Sequence, residues 1–234
     1  PVSSKRTGAK FDIFTKISLV IVSAIVFFLI LLPVVNILVF SAKPTGKAIV
    51  LNSLSDPVIR HILLNTVKLG LTVAFLGTLI GFLLAYTQTK VEFKGKKILH
   101  VINLVPIISP PFAFATAIIV LFGRSGMITR GLFDWRPTLY GFPGLVLVLT
   151  LSFFPIAYMN LLGMLKSLDP AIDEAASSLG SNKWRVFRTM TLPLLIPGFA
   201  GSFLLLFIES IADLANPLII GGSYTVLASR AYMA

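Results

Sequence analysis

Residues 169–197, DPAIDEAASSLGSNKWRVFRTMTLPLLIP, form a polar segment set between two long apolar runs. The opening Asp-Pro pair predicts the start of a helix, because aspartate accepts the free N–H groups of a first turn and proline fits its first position. Gly180 can adopt the left-handed conformation that ends such a helix. A second short helix is predicted over 182–190, with Pro193 as its end. The pattern indicates two exposed helices joined at a glycine.

Composition places the rest of the chain in a lipid bilayer. Hydrophobic residues make up 56% of the sequence and charged residues 12%, and the mean hydropathy is +0.93. Soluble globular domains carry about a quarter charged residues. The sequence therefore predicts a membrane protein.

The basic residues do not indicate nucleic-acid binding, although the formal net charge is +11. The 20 lysines and arginines lie in short loops beside apolar runs and form no basic face with interleaved aromatic residues. We interpret them as topology signals and as contacts with anionic membrane lipid. The absence of cysteine excludes a thiolate metal site, and two histidines, His61 and His100, argue against a histidine cluster. We expect neither a metal nor a cofactor.

Five apolar segments are long enough to cross a membrane, since about 20 apolar residues span the hydrocarbon core. The first exceeds the apolar region of a signal peptide, so we expect an uncleaved helix. The fold class predicted is an all-α, polytopic bundle of transmembrane helices. The predicted spans are 17–40, 65–89, 98–122, 141–165 and 198–222.

Prolines interrupt the third predicted span at Pro106, Pro110 and Pro111. Proline lacks a backbone N–H and clashes with the preceding turn, so this cluster must bend or break the helix. Two interpretations remain open, a structural kink and a broken helix beside a translocation path. In the second span, Gly77 and Gly81 form a GxxxG pair that permits close helix packing, a pattern that is common by chance.

Two acids, Glu209 and Asp213, lie in the fifth predicted span, four residues apart on one helical face. Ionisable groups inside a membrane are costly, which makes a functional role the default hypothesis. They could line a pathway, or lie near the outer interface paired with Arg230 or with water. Both interpretations remain open.

The distribution of Lys and Arg among the loops predicts the orientation. Twelve lie in the N-terminus, in 90–97 and in the polar segment with its flank, against seven in the alternate loops. The richer set is cytoplasmic by the positive-inside rule. We therefore expect a cytoplasmic N-terminus and a cytoplasmic polar segment.

The sequence offers no catalytic centre. The phosphate-binding pattern GxxxxGK[ST] is absent, and no nucleophile, base and orienting group can be assembled. We expect a protein that is not an enzyme and that takes any ATP-derived energy from a partner subunit.

The polar segment resembles the EAA motif of permease subunits in binding-protein-dependent ABC importers. The matching residues are Glu174-Ala175-Ala176, Gly180 after three more residues, and Leu192-Pro193 near the end. In that family this segment is the coupling helix, which fits a groove on the ATPase subunit. The resemblance implies ATPase coupling for Asp173, Glu174, Ala175, Ala176, Gly180, Trp184 and Arg185.

A second resemblance concerns substrate. Residues 209–233, ESIADLANPLIIGGSYTVLASRAYM, together with LFGRSGMIT, are similar to the iron(III)-type permeases. This resemblance implies ferric iron, whereas thiamine, polyamine, sulfate and phosphonate importers share the fold and the EAA pattern. As candidates for the translocation pathway we name Glu209, Asp213, Asn216, Pro110 and Pro111.

The resemblance also implies an architecture and partners. Residues 1–59 would form a cytoplasmic tail, a first helix and an outer loop, and residues 60–234 the permease core. That core continues into a further span in the family, so we expect the sequence to be a segment of a longer protein. The implied location is the bacterial inner membrane. The implied partners are a dimer of cytoplasmic ATPase subunits, a periplasmic solute-binding protein, a second permease half or subunit and membrane lipid, without nucleic acid.

Two rival functions use the same sequence features. A secondary transporter could relay protons or cations through Glu209 and Asp213. A membrane-embedded scaffold would need no transport at all. The importer hypothesis differs from both in requiring an ATPase that contacts the polar segment.

Overall fold

The structure is a computed structural model that describes residues 13–123, 125–134, 139–169, 178 and 180–233. The regular secondary structure of these residues is helical throughout. By length and hydropathy, four of their helices can cross a membrane, and one bent helix pair makes a fifth candidate. The predicted all-α bundle of about five spans is confirmed.

Residue contacts divide the chain into two units, Pro1–Arg60 and His61–Ala234, which are described separately. In the first unit, α1 (Ile13–Val26), a π-helical turn named π1 (Phe27–Leu31) and α2 (Leu32–Ala42) run on as one apolar helix of 30 residues. A short helix, α3 (Pro44–Ser55), follows. The sequence analysis placed this stretch in the outer loop that follows the first helix.

The remaining elements follow in chain order. They are α4 (Pro57–Lys90), α5 (Lys96–Ile108), α6 (Pro111–Phe122), α7 (Thr129–Phe133), α8 (Phe142–Ser167), α9 (Lys183–Val186), a second π-helical turn π2 (Phe187–Thr191), α10 (Leu192–Ala212), α11 (Ala215–Ile220) and α12 (Leu227–Met233).

The proline cluster breaks the third span, as predicted. Helices α5 and α6 meet at an angle of 109°. Ser109 and Pro110 both precede a proline and both have extended backbone, with ψ of 137° and 136°. A residue before proline is driven out of the helical region by the proline ring, so two in succession end the helix. Pro106, by contrast, lies inside α5.

The predicted helix end at Pro193 is wrong, and so are the bounds predicted for the last span. The helix runs from α9 through π2 into α10, so the candidate span is Trp184–Ala212. The π turn precedes the proline, and the N–H of Leu192 donates to the carbonyl of Phe187, five residues back. This wider turn gives the proline ring room that an α-helical turn lacks. The same arrangement precedes Pro33 in the first span.

Helix α8 is the centre of the C-terminal unit. Two thirds of its candidate span is buried, more than in any other candidate span of the described chain. It packs against α5, α6, α10 and α11. Its largest fully buried side chains are Tyr158, Leu145, Leu149, Leu161 and Val148.

Helix α4 approaches α8 closely where it carries Gly81. A Cβ atom built on Gly81 would lie 2.7 Å from the backbone nitrogen of Tyr158 and 2.8 Å from Cβ of Ala157. At Gly77 the same atom would meet Cδ2 of Leu206, the end of a flexible side chain. Gly81 therefore faces backbone atoms of α8, whereas Gly77 faces a flexible side chain.

We expect Gly81→Ala to destabilise the protein more than Gly77→Ala. The first change pushes a methyl group against backbone and forces α4 away from α8, which costs about 1–3 kcal/mol. The second requires only a rotation of Leu206. Each purified variant is heated in detergent, and size-exclusion chromatography measures the fraction that remains folded. The melting temperatures obtained in this way give the difference in stability.

Gly163→Ala is the matched control, because Gly163 is helical and a Cβ atom there meets nothing within 4 Å. Equal melting temperatures for the Gly81 and Gly163 variants would contradict the close approach of α4 and α8.

Candidate functional site: the coupling segment and the outer turn

Gly180, the glycine of the EAA-like motif, lies in the described part of the chain. Its φ is +72°, in the left-handed region, and a Cβ atom built on it meets nothing within 4 Å. The glycine is therefore needed for its backbone conformation and not for space. Of the other residues predicted for coupling, Asp173, Glu174, Ala175 and Ala176 lie outside the described part of the chain.

The second half of the polar segment 169–197, which we call the coupling segment after its predicted role, has an exposed side and a side that packs against the bundle. Trp184 and Arg185 are exposed, while Val186 is only 8% exposed and packs inward. Oδ1 of Asn182 accepts the N–H of Trp184 at 3.2 Å and so caps α9. Both predicted coupling residues of α9 thus lie on a helix surface that is open to a partner.

An aromatic cluster joins π2 to the end of α4. The ring of Phe187 lies 5.4 Å from Tyr86, 6.2 Å from Phe82 and 5.4 Å from Trp184, measured between centroids. Phe82 also packs against Phe199 at 4.8 Å. Sequence analysis missed Phe82 and Tyr86, because an aromatic residue in an apolar span looks the same whether it faces lipid or a neighbouring helix.

Helices α8 and α10, which precede and follow the coupling segment, are joined by hydrogen bonds. Nδ2 of Asn160 in α8 donates to the carbonyl of Gly198 at 3.3 Å and to Oγ of Ser202 at 2.9 Å, both in α10. Gly198 also lies against the side chain of Met164. A force on the segment between these two helices therefore acts on a linked pair.

Asp213 occupies a polar turn at the far end of α10, residues 213–216, which we call the outer turn after the predicted orientation. Its backbone is extended, with ψ of 124°, and it ends the helix. Its carboxylate accepts the backbone N–H of Asn216 at 2.9 Å and the amide Nδ2 of Asn216 at 2.7 Å. Asn216 is fully buried, and its Oδ1 has no hydrogen-bond partner among the described residues. The structure thus brings together two of the predicted pathway residues.

Glu209 has a different environment from Asp213. It is exposed, and its carboxylate takes no part in the hydrogen bonds between Asp213 and Asn216. Burial raises the pKa of Asp213, which lies just beyond the last residue of the span, and the hydrogen bonds from Asn216 act in the opposite direction. The two acids do not form one site in the described chain.

The turn after α11 is hydrogen-bonded to the first half of α4. The hydroxyl of Tyr224 donates to the carbonyl of Asn65 at 2.8 Å, and Nδ2 of Asn65 donates to the carbonyl of Thr225 at 3.3 Å. The ammonium of Lys68 lies 4.7 Å from the ring centroid of Phe142, a cation–π contact. These contacts hold the turn after α11 to α4, and α4 to the start of α8.

Pro110 and Pro111 lie at the break between α5 and α6. Pro111 is the first residue of α6, and α6 packs against α11, the helix that carries Asn216. Ala115 and Ile118 of α6 belong to the same buried cluster as Ile220 of α11. The break therefore directs α6 toward the outer turn.

Known proteins similar to this chain are transport permeases. The family model described as "Binding-protein-dependent transport system inner membrane component" matches residues 77–234. Ferric transport system permease protein FbpB of Actinobacillus pleuropneumoniae is 34% identical over 233 residues, covering 96% of this chain and 34% of that protein. Molybdenum transport system permease protein ModB of Escherichia coli strain K12 is 32% identical over 162 residues, covering 68% of this chain and 70% of that protein.

A solved structure shares the fold. In a bacterial alginate ABC transporter, in complex with an alginate pentasaccharide-bound periplasmic protein, the matching chain has a TM-score of 0.75 at 17% identity, covering 94% of this chain and 82% of that chain. The chain spans about a third of the length of the ferric transport relative. Since the family model covers more than half of its residues and the ModB match extends over most of a relative, the chain belongs to the inner membrane components of binding-protein-dependent transport systems.

Proposed function

We propose that this chain is the permease part of an ABC importer that carries ferric iron across the bacterial inner membrane. The observation that carries the proposal is the extent of the FbpB similarity, which includes 96% of the chain, against 68% for ModB. A periplasmic binding protein would deliver the substrate, and a partner dimer of ATPase subunits would hydrolyse ATP.

The coupling step is assigned to residues 169–197. The ATPase would contact Asp173, Glu174, Ala175 and Ala176, the turn at Gly180 would set the angle of the segment, and Trp184 and Arg185 would border the contact. Val186 and Phe187 anchor the segment to the bundle. The hydrogen bonds of Asn160 between α8 and α10 support a concerted movement of both helices, which would open the path on alternate sides.

The proposed orientation puts the N-terminus and the coupling segment in the cytoplasm. The contact between Phe187 and Tyr86 supports it, because Tyr86 lies one turn before the basic stretch 90–97. Both lysine- and arginine-rich regions of the C-terminal unit therefore lie at one end of the bundle, as the positive-inside rule requires.

The proposed pathway lies near the break and the outer turn. Pro111 and Asn216 belong to α6 and α11, which pack together, and Pro110 and Asp213 lie just outside helix ends beside them. This packing supports their assignment, and Glu209 would contribute from the exposed side of α10. A carboxylate there suits a cationic cargo. We further propose a second permease half or subunit as the partner that completes the path.

Uptake measurements test the substrate. In proteoliposomes containing the full-length permease, its ATPase and its binding protein, we expect ATP-dependent accumulation of radioactive ferric iron. Molybdate and sulfate, offered under the same conditions, should stay outside. Collapse of the proton gradient with ATP present should leave iron uptake intact.

Accumulation of an oxyanion instead of iron would overturn the assignment of iron as the substrate, and the assignment of the chain as a permease would stand. Transport that continues without ATP and fails without the proton gradient would overturn the importer itself.

A series at Gly180 tests the coupling turn. Valine there must take a positive φ, which costs about 1–2 kcal/mol in an L-residue, whereas asparagine tolerates it better. We expect the iron transported per ATP hydrolysed to fall in the order Gly, Asn, Ala, Val, with a loss on the order of tenfold for Gly180→Val. Parallel assays of ATP hydrolysis and uptake measure the ratio.

Gly163→Val serves as the control, because Gly163 has no positive φ and open space around it. If Gly180→Val transports as much iron per ATP as wild type, the turn has no role in coupling.

Substitutions at Asp213 separate its structural role from a transport role. Asp213→Ala leaves the buried amide of Asn216 without acceptors, which should destabilise the protein by about 1.5–3 kcal/mol. Asp213→Asn keeps one acceptor oxygen and removes the charge, so we expect a smaller loss of stability and reduced iron uptake. Melting temperature and initial uptake rate measure the two effects.

Glu209→Gln provides the comparison at an exposed acid, where we expect an unchanged melting temperature. Wild-type stability of Asp213→Ala would contradict the hydrogen-bonded turn, and wild-type uptake by Asp213→Asn would remove Asp213 from the pathway.

A further inference from the structure

An open apolar groove of about 570 Å³ lies where the end of α4 meets α9 and π2. Its lining is dominated by aromatic rings, and two of its walls are freely accessible, since Leu83 is 54% exposed and Trp184 is 66% exposed. The lining residues are Phe82, Leu83, Tyr86, Asn182, Trp184 and Phe187.

The position of the groove corresponds to the boundary between hydrocarbon and water. Tyr86 lies one turn before the end of α4 at Lys90, and Trp184 is the first residue of the span that continues through α10. Tyrosine and tryptophan are enriched at this boundary because their rings combine an apolar body with a polar group. An occupant must therefore be apolar on the side of the spans and polar at their ends.

The polar rim of the groove is basic. Arg188 follows Trp184 by one helical turn, and long helical side chains point back toward the helix N-terminus, which brings its guanidinium toward the level of Trp184. Arg185 and Arg188 are exposed, and neither has an ion-pair partner in the described part of the chain. The rim thus carries two cations that are available to an anion.

The loop after α4 adds further positive charge. Nε2 of Gln88 donates to the carbonyl of Lys96 at 3.1 Å, which holds this loop against the end of α4. Lys94 and Lys97 are exposed there. The acid of this loop, Glu92, is paired with the ammonium of Lys96 at 2.9 Å and leaves the net charge of the rim positive.

We propose that the groove is a binding site for an anionic phospholipid of the surrounding bilayer. An acyl chain lies along the rings of Phe82 and Phe187, and the phosphate meets Arg188. The hydroxyl of Tyr86, which makes no hydrogen bond among the described residues, donates to the same headgroup. The site is independent of the transported ion, and it links the lipid to π2, the turn that connects the coupling segment to its membrane span.

The charge pattern distinguishes this occupant from a zwitterionic lipid, because each basic residue at a membrane surface favours anionic lipid by about 1 kcal/mol. The groove is also built largely from residues of two spans, Phe82, Leu83 and Tyr86 of one and Trp184 and Phe187 of the other. The residues proposed for the centre of the ATPase contact, from Asp173 to Gly180, come before Asn182 in the chain, and Trp184 and Arg185 only border that contact. A lipid therefore fits the groove better than the ATPase does.

A photo-crosslinking experiment tests the proposal. A benzophenone amino acid replaces Leu83 in the full-length permease, assembled with its partner subunits in vesicles of equal parts phosphatidylcholine and phosphatidylglycerol. After illumination, mass spectrometry quantifies the adducts. We expect phosphatidylglycerol adducts to exceed phosphatidylcholine adducts about fivefold, the ratio that one basic contact provides.

Variants of Arg188 locate the source of this preference. Arg188→Gln should lower the adduct ratio severalfold, Arg188→Lys should retain most of the preference, and Arg130→Gln, at an exposed residue of α7, should leave it unchanged. High salt should weaken the preference in the wild-type protein, which tests the electrostatic contact without any change at Arg188.

Three results would overturn the proposal. They are adducts in the proportion of the bulk lipids, a preference that survives both Arg188→Gln and high salt, and adducts mainly to a protein subunit. An adduct to the ATPase would overturn the lipid site while leaving the importer function intact. Loss of iron uptake with normal lipid adducts would overturn the proposed importer function and leave the lipid site intact.

Discussion

Backbone hydrogen bonding in a hydrocarbon environment is the constraint on which this structure depends. Every N–H and C=O inside the bilayer must find a partner within the protein, so spans are helical and each proline in a span needs a local solution. The chain uses three solutions. A π turn precedes Pro33 and Pro193, an α-helix accommodates Pro106, Pro155 and Pro197, and Pro110 with Pro111 divides a span into two helices.

These solutions set the positions of the functional elements. The break after α5 turns α6 toward α11, the helix that carries Asn216. The π turn before Pro193 keeps α9 in one continuous helix with α10. Between these ends, α8 and α10 are linked through Asn160, and small residues such as Gly81 allow α4 to approach α8. The two ends of the bundle are thus connected by packed helices.

Much of the fold follows from the sequence, and the errors share one cause. Hydropathy located the spans, because about 20 apolar residues have no other stable environment. The break at Pro110-Pro111 follows from a local rule, because two residues in succession precede a proline. The effect of Pro193 could not be predicted in the same way, because no local pattern marks the π turn that accommodates it. Likewise, the spacing of Glu209 and Asp213 suggested one acidic face, whereas an extended residue at Asp213 gives its carboxylate to Asn216. The family was predicted from the EAA-like spacing, but the aromatic partners Phe82 and Tyr86 depend on tertiary packing that no local pattern records.

The π turn at Phe187–Thr191 has a geometric consequence for the segment that precedes it. Such a turn inserts one extra residue into the helix, and one residue of an α-helix corresponds to a rotation of about 100°. Trp184 and Arg185 therefore face a direction that the periodicity of α10 alone does not give. The exposed side of α9 is set separately from the side of α10 that packs in the bundle, and a single residue determines the angle between them.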